Sequence, residues 1–374
     1  MKPHAAQQNT WRALLRRLPW LLMLPLGLYL PRLAAAHPSI VERWFSRGLY
    51  PYVSAALGGL FSILPFSFAE ILLYALPLCA AAALLWSLAL WLRRRIPLQR
   101  VVSVLLTLCI IGSAMLCAFY PLWGFNYARP TLYELLELEP AEYSADQLKT
   151  LCSKLASQAA LLRGQVPEDA QDVFTLPQGY RAYFARLPAA YARLGQSVPL
   201  FARKTYPAKG VLASMGMSRG GIAGIYIPYT AECNVNVDQP PLLLLSSAAH
   251  ETAHYLGIAK EDEANFVAYL ACLRAGDPAI AYSGVMLALI HATNQLYRAD
   301  PDGFAAVRGL YSDGMVRDLM AYNAYWDAYE GAVQEAVTDM NDHYLKHNQQ
   351  TTGVQSYGLM VDLLLAWESK GFEK

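Results

Sequence analysis

The chain has 374 residues, of which 55% are hydrophobic and only 16% charged, too apolar a balance for an ordinary soluble enzyme. The formal net charge of +1 conceals a split, since residues 1–124 carry 11 Lys/Arg against 2 Asp/Glu and the remainder carries 19 against 27. The two parts therefore belong in different surroundings, the first in contact with a lipid bilayer.

Three apolar stretches in the first third are expected to cross that bilayer. Val101 to Gly124 has no charge over 24 residues, and Phe68 to Leu92 has only Glu70, near one end; both exceed the roughly 20 residues a hydrocarbon core requires. Leu18 to Ala36 is interrupted by Pro19, Pro25, Pro31 and Arg32, but Arg16 and Arg17 precede it as an inner anchor. A cleaved signal peptide ending near "LAAAHP" competes for this stretch; the 17-residue leader favours a retained span. Arg93, Arg94, Arg95 and Arg100 crowd the turn between the second and third spans, which places that turn and the N-terminus on the cytoplasmic side. Three crossings then deliver the rest of the chain to the extracytoplasmic side of a cytoplasmic membrane. Arg43 to Phe66, apolar but broken by Gly and Pro, reads as an interfacial or re-entrant outer loop.

Residues 1–125 thus form a membrane domain, and residues 126–374 one mainly helical domain with a small sheet. Ser144 to Gly164 has an N-cap, helical apolar spacing and a terminal glycine. Gln178 to Gly195 predicts a helix that Pro188 breaks or kinks. Ile222 to Ile227 reads as a short strand, and helices are expected near Ala279 to Tyr297, Val316 to Tyr344 and Val354 to Trp367. Cys79, Cys109 and Cys117 fall in membrane segments. Cys152, Cys233 and Cys272 would lie outside, where a disulfide is allowed, but no pairing follows from their spacing.

The chemistry concentrates in "SSAAHETAHYLGIAKEDEANF", Ser246 to Phe266. A helix starting near Pro240 and Pro241 and ending at Gly257 stacks His250 over His254 at i and i+4, the spacing at which two imidazoles grip one zinc ion. Glu251, one position away, is placed to act as general base on a metal-bound water. A third ligand is then needed. Glu261 opens the next helix and shares a face with Asn265, whereas Glu263 lines up with the greasier Phe266, Val267 and Leu270. Glu261 is the preferred ligand, Glu263 the alternative, and Asn265 a hydrogen-bond partner for a ligand imidazole. Tyr226 and Tyr357 are candidates to steady an oxyanion or touch substrate, and "GIAGIYIPYT" is a candidate sheet edge for an extended peptide. His291, His343 and His347 lack clustered acidic partners and read as surface or core residues.

The motif resembles two metallopeptidase groups. H-E-x-x-H-x-x-G is similar to the start of the metzincin signature, but the third histidine of that group would fall at Lys260, which cannot serve. The gluzincin arrangement, with a Glu from a second helix, fits "EDEANFVAYLACL" better. More widely, the spans, "GIYIPYTAECNVN", "HETAHYLGIAKEDEANFVAYLAC" and "VQSYGLMVDLLLA" resemble a bacterial multi-pass membrane family of unknown function with a zincin-like H-E-x-x-H. That resemblance implies a metallopeptidase of zincin-like α+β fold. The expectation is an extracytoplasmic, membrane-anchored zinc metallopeptidase acting on a peptide or protein, with no nucleic-acid partner. The main alternative is a non-catalytic envelope scaffold or sensor braced by a metal or polar site. An intramembrane protease is disfavoured because charged residues follow the motif directly.

Overall fold

Helix dominates because most long apolar runs follow a 3.6-residue period or are apolar on every side. The computed structural model describes residues 11–139, 143–348 and 358–371. Three helices are long and apolar enough to cross a membrane: α1 (Trp11–Ala35), α3 (Phe68–Leu92) and α4 (Leu98–Leu122). Near its start α1 reaches α4 through Arg17, which donates to Ser103 and Thr107. Further along, Gly27 approaches Leu116 and Cys117 closely. The two helices are therefore parallel, and the segments that follow each of them emerge at the same end.

Between α1 and α3, residues 38–61 form a helical run, α2, with a π-helical stretch at Val41–Leu49. The interfacial or re-entrant outer loop expected over Arg43 to Phe66 is helical as far as Phe61 and packs on later parts of the chain. Tyr50 is fully buried and donates to the Tyr255 carbonyl, while Glu42 takes two hydrogen bonds from Arg129. Polar side chains at positions 42, 46 and 54 are what turn this face toward protein instead of lipid.

The remaining longer helices are α5 (Ala145–Arg163), α6 (Tyr180–Phe184), α7 (Leu187–Ser197), α8 (Pro241–Tyr255), α9 (Glu261–Leu273), α10 (Pro278–Ala299), α11 (Pro301–Arg308), α12 (Asp313–Asp327), α13 (Ala332–His347) and α14 (Gly358–Ser369), besides a short helix at Ser214–Arg219 and a few single turns. A capping box at Ser144 and Gln147 opens α5 as expected. Pro188 falls in the first turn of α7, where it is tolerated, so the chain breaks just before it. The single helix expected over Val316 to Tyr344 is split into α12 and α13 by Gly331, whose φ of +155° no ordinary side chain adopts easily.

The sheet is small and mixed. Strands β1 (Lys209–Gly210), β2 (Gly224–Ile227) and β3 (Glu232–Val235) lie in the order β1-β3-β2, with β1 parallel and β2 antiparallel to β3. Buried Glu232 ties this sheet to the start of α3, accepting from the Phe68 and Ala69 amides and from Lys209. Glu70 reciprocates by accepting from the Leu212 and Ala213 amides. The six cysteines are free, and Cys152, Cys233 and Cys272 are buried, which answers the disulfide question left open by their spacing.

Candidate metal centre

Every residue of α8 from Leu242 to Tyr255 is buried except Ser247 and His250. A helix apolar on nearly every side belongs in a core, so the polar Glu251 and His254 within it are the anomaly. The helix ends in a Schellman turn: the Gly257 amide donates to the His254 carbonyl and the Ile258 amide to the Ala253 carbonyl. Gly257 sits at φ +85°, and a Cβ there would meet Asn126 and Tyr50 at 3.0 Å. This turn reverses the chain within a few residues and lays α9 against α8.

The reversal brings His250, His254 and Glu261 together, with one ligand atom from each lying within 4.8 Å of the others. His250 Nε2 is 3.2 Å from Glu261 Oε2, and His254 Nε2 is 3.6 Å from Glu261 Oε1. Ligands bonded tetrahedrally to one metal ion at about 2.0–2.1 Å stand about 3.3–3.4 Å apart, so the two histidine–carboxylate separations are of the size a shared ion requires. Both rings are held through their other nitrogen. His254 Nδ1 is 2.7 Å from the Ile258 carbonyl, which only accepts, so Nδ1 carries the proton and Nε2 faces Glu261. His250 Nδ1 is 2.7 Å from Asn265 Oδ1, the contact expected from the shared face of Glu261 and Asn265. Glu263 is turned away, accepting from the Leu132 amide at 3.0 Å and from Lys260.

Without an ion, His254 and Glu261 behave as an ion pair. Burial opposes protonation of His254, but the Glu261 carboxylate outweighs it and raises its pKa to about 9. Burial likewise pushes Glu261 up, and the two imidazoles more than reverse this, holding it well below the usual carboxylate range. Metal binding would expel the His254 proton and take its place, so affinity should fall with acidity.

Glu251 is 4% exposed. Its Oε2 has no hydrogen-bond partner among the described residues. Burial raises its pKa to about 7 against the pull of His250 and His254. Gly224 on β2 makes room for it, since a Cβ there would stand 2.5 Å from Glu251 Oε1. Strand β2 pairs on one side only among the described residues. Tyr226 on the same strand directs its hydroxyl to Tyr50, 3.2 Å away in the core, and contacts Glu251 through its backbone instead. Tyr357 lies outside the described residues.

Other contributors have no local signature in the sequence. Trp123 donates its indole N–H to the His254 carbonyl and sets its ring edge-on to the imidazole at 5.9 Å. Tyr127 donates to the Tyr344 hydroxyl at 3.1 Å. Burial raises both phenols, and the Glu261 charge adds to the shift, which places the pair in the field of the site. His291 is not among the converging ligands, although burial and the neighbouring His250 lower its pKa to about 4.

No curated protein and no solved structure matches the chain. A family model does match, over residues 45–365, a span that includes most of α2, the sheet and the whole α8–α9 site, and the chain therefore belongs to the family described as "Protein of unknown function (DUF3810)".

Proposed function

We propose that the protein is a membrane-anchored zinc metallopeptidase that hydrolyses peptide bonds on the extracytoplasmic side, with His250, His254 and Glu261 as ligands and Glu251 as general base. The observation that carries this reading is the convergence of three ligand atoms beside a buried carboxylate with an unpartnered oxygen. When bound, a zinc ion supplies the Lewis acidity that lowers the pKa of a water at its open position toward about 7. Glu251 takes the proton from the attacking water as its oxygen adds to the peptide carbonyl carbon, and hands it to the departing amine. A carboxylate raised to about 7 suits both halves of that transfer. Asn265 and the Ile258 carbonyl fix the imidazoles so that both Nε2 atoms point at one place. The free edge of β2, beside Glu251, offers backbone groups to an extended peptide.

Replacing Glu251 by Gln tests this directly, since it keeps shape and removes the base. Zinc should remain bound while peptide turnover by the full-length protein falls about 10²–10⁴-fold. Unchanged turnover would end the catalytic assignment and favour a scaffold braced by a metal. The basic turn before α4, with α1 and α4 parallel, supports this sidedness, and a reporter fused after residue 130 should be active outside. Cytoplasmic activity of that fusion would refute the proposed location.

A further inference from the structure

Behind the turn that joins α8 to α9 lies a cavity of about 620 Å³, within the roughly 300–1,000 Å³ usual for small-ligand sites. Among the described residues its walls hold four cations, Arg47, Arg129, Arg203 and Lys370, against one carboxylate, Glu137. Arg47 and Arg129 share Glu42, which leaves the wall positive even after that carboxylate is counted. Lys370 donates to the carbonyls of Leu136 and Glu137 at the rim of the cavity.

Arg203 is the least balanced of the four. It is half-buried, donates to Ser54 Oγ at 2.5 Å and to the Leu256 carbonyl at 3.1 Å, and lies 5.1 Å over the Tyr50 ring. Burial draws its pKa down, and the groups that counter this are tyrosines, with no carboxylate among them. A guanidinium withdrawn from water without a counter-charge is unfavourable, and an arriving anion relieves it. Guanidinium groups also match the geometry of phosphate oxygens in a way that amines do not.

We infer that this cavity binds a phosphate-bearing anion, held by Arg203 and Arg47 with Lys370 at its edge. Two sources share this chemistry, an anionic phospholipid headgroup and free phosphate. The bilayer lies within reach, because Arg47 stands near the start of α2, which begins at Pro38, directly after the end of α1 at Ala35. Leu200 and Trp367 give the cavity an apolar wall alongside its cations, as a phospholipid requires. Occupancy bears on the metal centre as well, since Arg129 and Arg203 donate to the Gly257 and Leu256 carbonyls, in the turn that positions His254. The inference does not depend on the metal reading, because none of the four cations touches the site.

The test uses the full-length protein in a neutral detergent, titrated separately with phosphatidylglycerol mixed micelles, phosphatidylcholine mixed micelles and inorganic phosphate, and read by thermal midpoint. Phosphatidylglycerol should raise the midpoint and phosphatidylcholine should not. A rise with inorganic phosphate as well identifies free phosphate as a source; a rise with phosphatidylglycerol alone identifies the lipid, and both uphold the site. Arg203→Gln and Arg47→Gln should each weaken the apparent affinity by about tenfold. Arg47 is 58% exposed, so its variant decides the matter even if Arg203→Gln fails to fold. No shift with either anion, an equal shift with phosphatidylcholine, or an unchanged affinity in the folded variants would overturn the assignment.

Discussion

Asp318 and Glu251 are both carboxylates buried on helices, 1% and 4% exposed, yet their surroundings differ completely. Asp318 accepts from Arg163 at 2.6 Å, from the Tyr282 hydroxyl at 2.7 Å and from the Phe174 amide at 2.8 Å, so its charge is fully answered. At Glu251 one oxygen has no partner among the described residues, and burial leaves the group near neutrality. The fold supplies three donors to the first carboxylate and, among the described residues, leaves one oxygen of the second without any. The first arrangement holds α5 to α12 and α10; the second keeps a carboxylate ready to exchange a proton.

This contrast separates stability from metal chemistry. Asp318→Ala leaves the buried Arg163 with only the more exposed Glu168 as counter-charge and strips Tyr282 and the Phe174 amide of their acceptor, and should cost about 3–5 kcal/mol of stability in denaturant unfolding, with zinc stoichiometry unchanged in the folded fraction. A neutral effect on unfolding would erase the distinction.

Glu42 offers a milder case of the first kind. Burial pushes its carboxyl up, but the hydrogen bonds and charge of Arg129, then Arg47, outweigh it and hold it below the ordinary value. A depressed carboxylate contributes stability that is present above the unfolded pKa of about 4.3 and is lost as pH falls through the folded one. Glu42→Gln should therefore cost about 1.5–3 kcal/mol near neutrality. Its midpoint should converge on that of the unaltered protein in acid, and a gap that stays constant down to pH 3 would contradict the assigned pairing.

Asn265→Ala should do the reverse. Loss of the 2.7 Å contact to His250 frees a ligand ring to rotate, and zinc affinity in a competition titration should fall about 10–100-fold with little change in unfolding. A large loss of stability with intact affinity would place Asn265 among the structural residues.

Much of this site was legible because its spacing is local. The i,i+4 histidines, the glycine stop at Gly257 and the common face of Glu261 and Asn265 follow from helix geometry alone. What escaped depends on distant parts of the chain meeting. Trp123 reaches His254 from 131 residues away, and Gly224 clears space for Glu251 from another element. Tyr226 read as a site phenol because its strand lies beside the motif helix, but strand alternation turns its ring into the core beside Tyr50 and Tyr255. Residues 43–66 read as a membrane loop because their average composition is apolar. Their placement is decided by a few polar contacts, Glu42 with Arg129 and Ser46 with Asn126, that an average conceals. The long C-terminal helix expected over Val316 to Tyr344 fails at Gly331, a residue whose backbone freedom outweighs the helical period on either side.

The central claim is that one zinc ion is held by His250, His254 and Glu261. Metal content of the purified full-length protein, measured beside Glu261→Ala and Glu263→Ala after zinc loading and removal of excess ion, tests it most directly. The account predicts about one zinc per chain in the unaltered protein and in folded Glu263→Ala, whose lost contact is to the Leu132 amide, and a severe loss in Glu261→Ala. An unaltered protein without bound zinc, or zinc loss confined to Glu263→Ala, would contradict it.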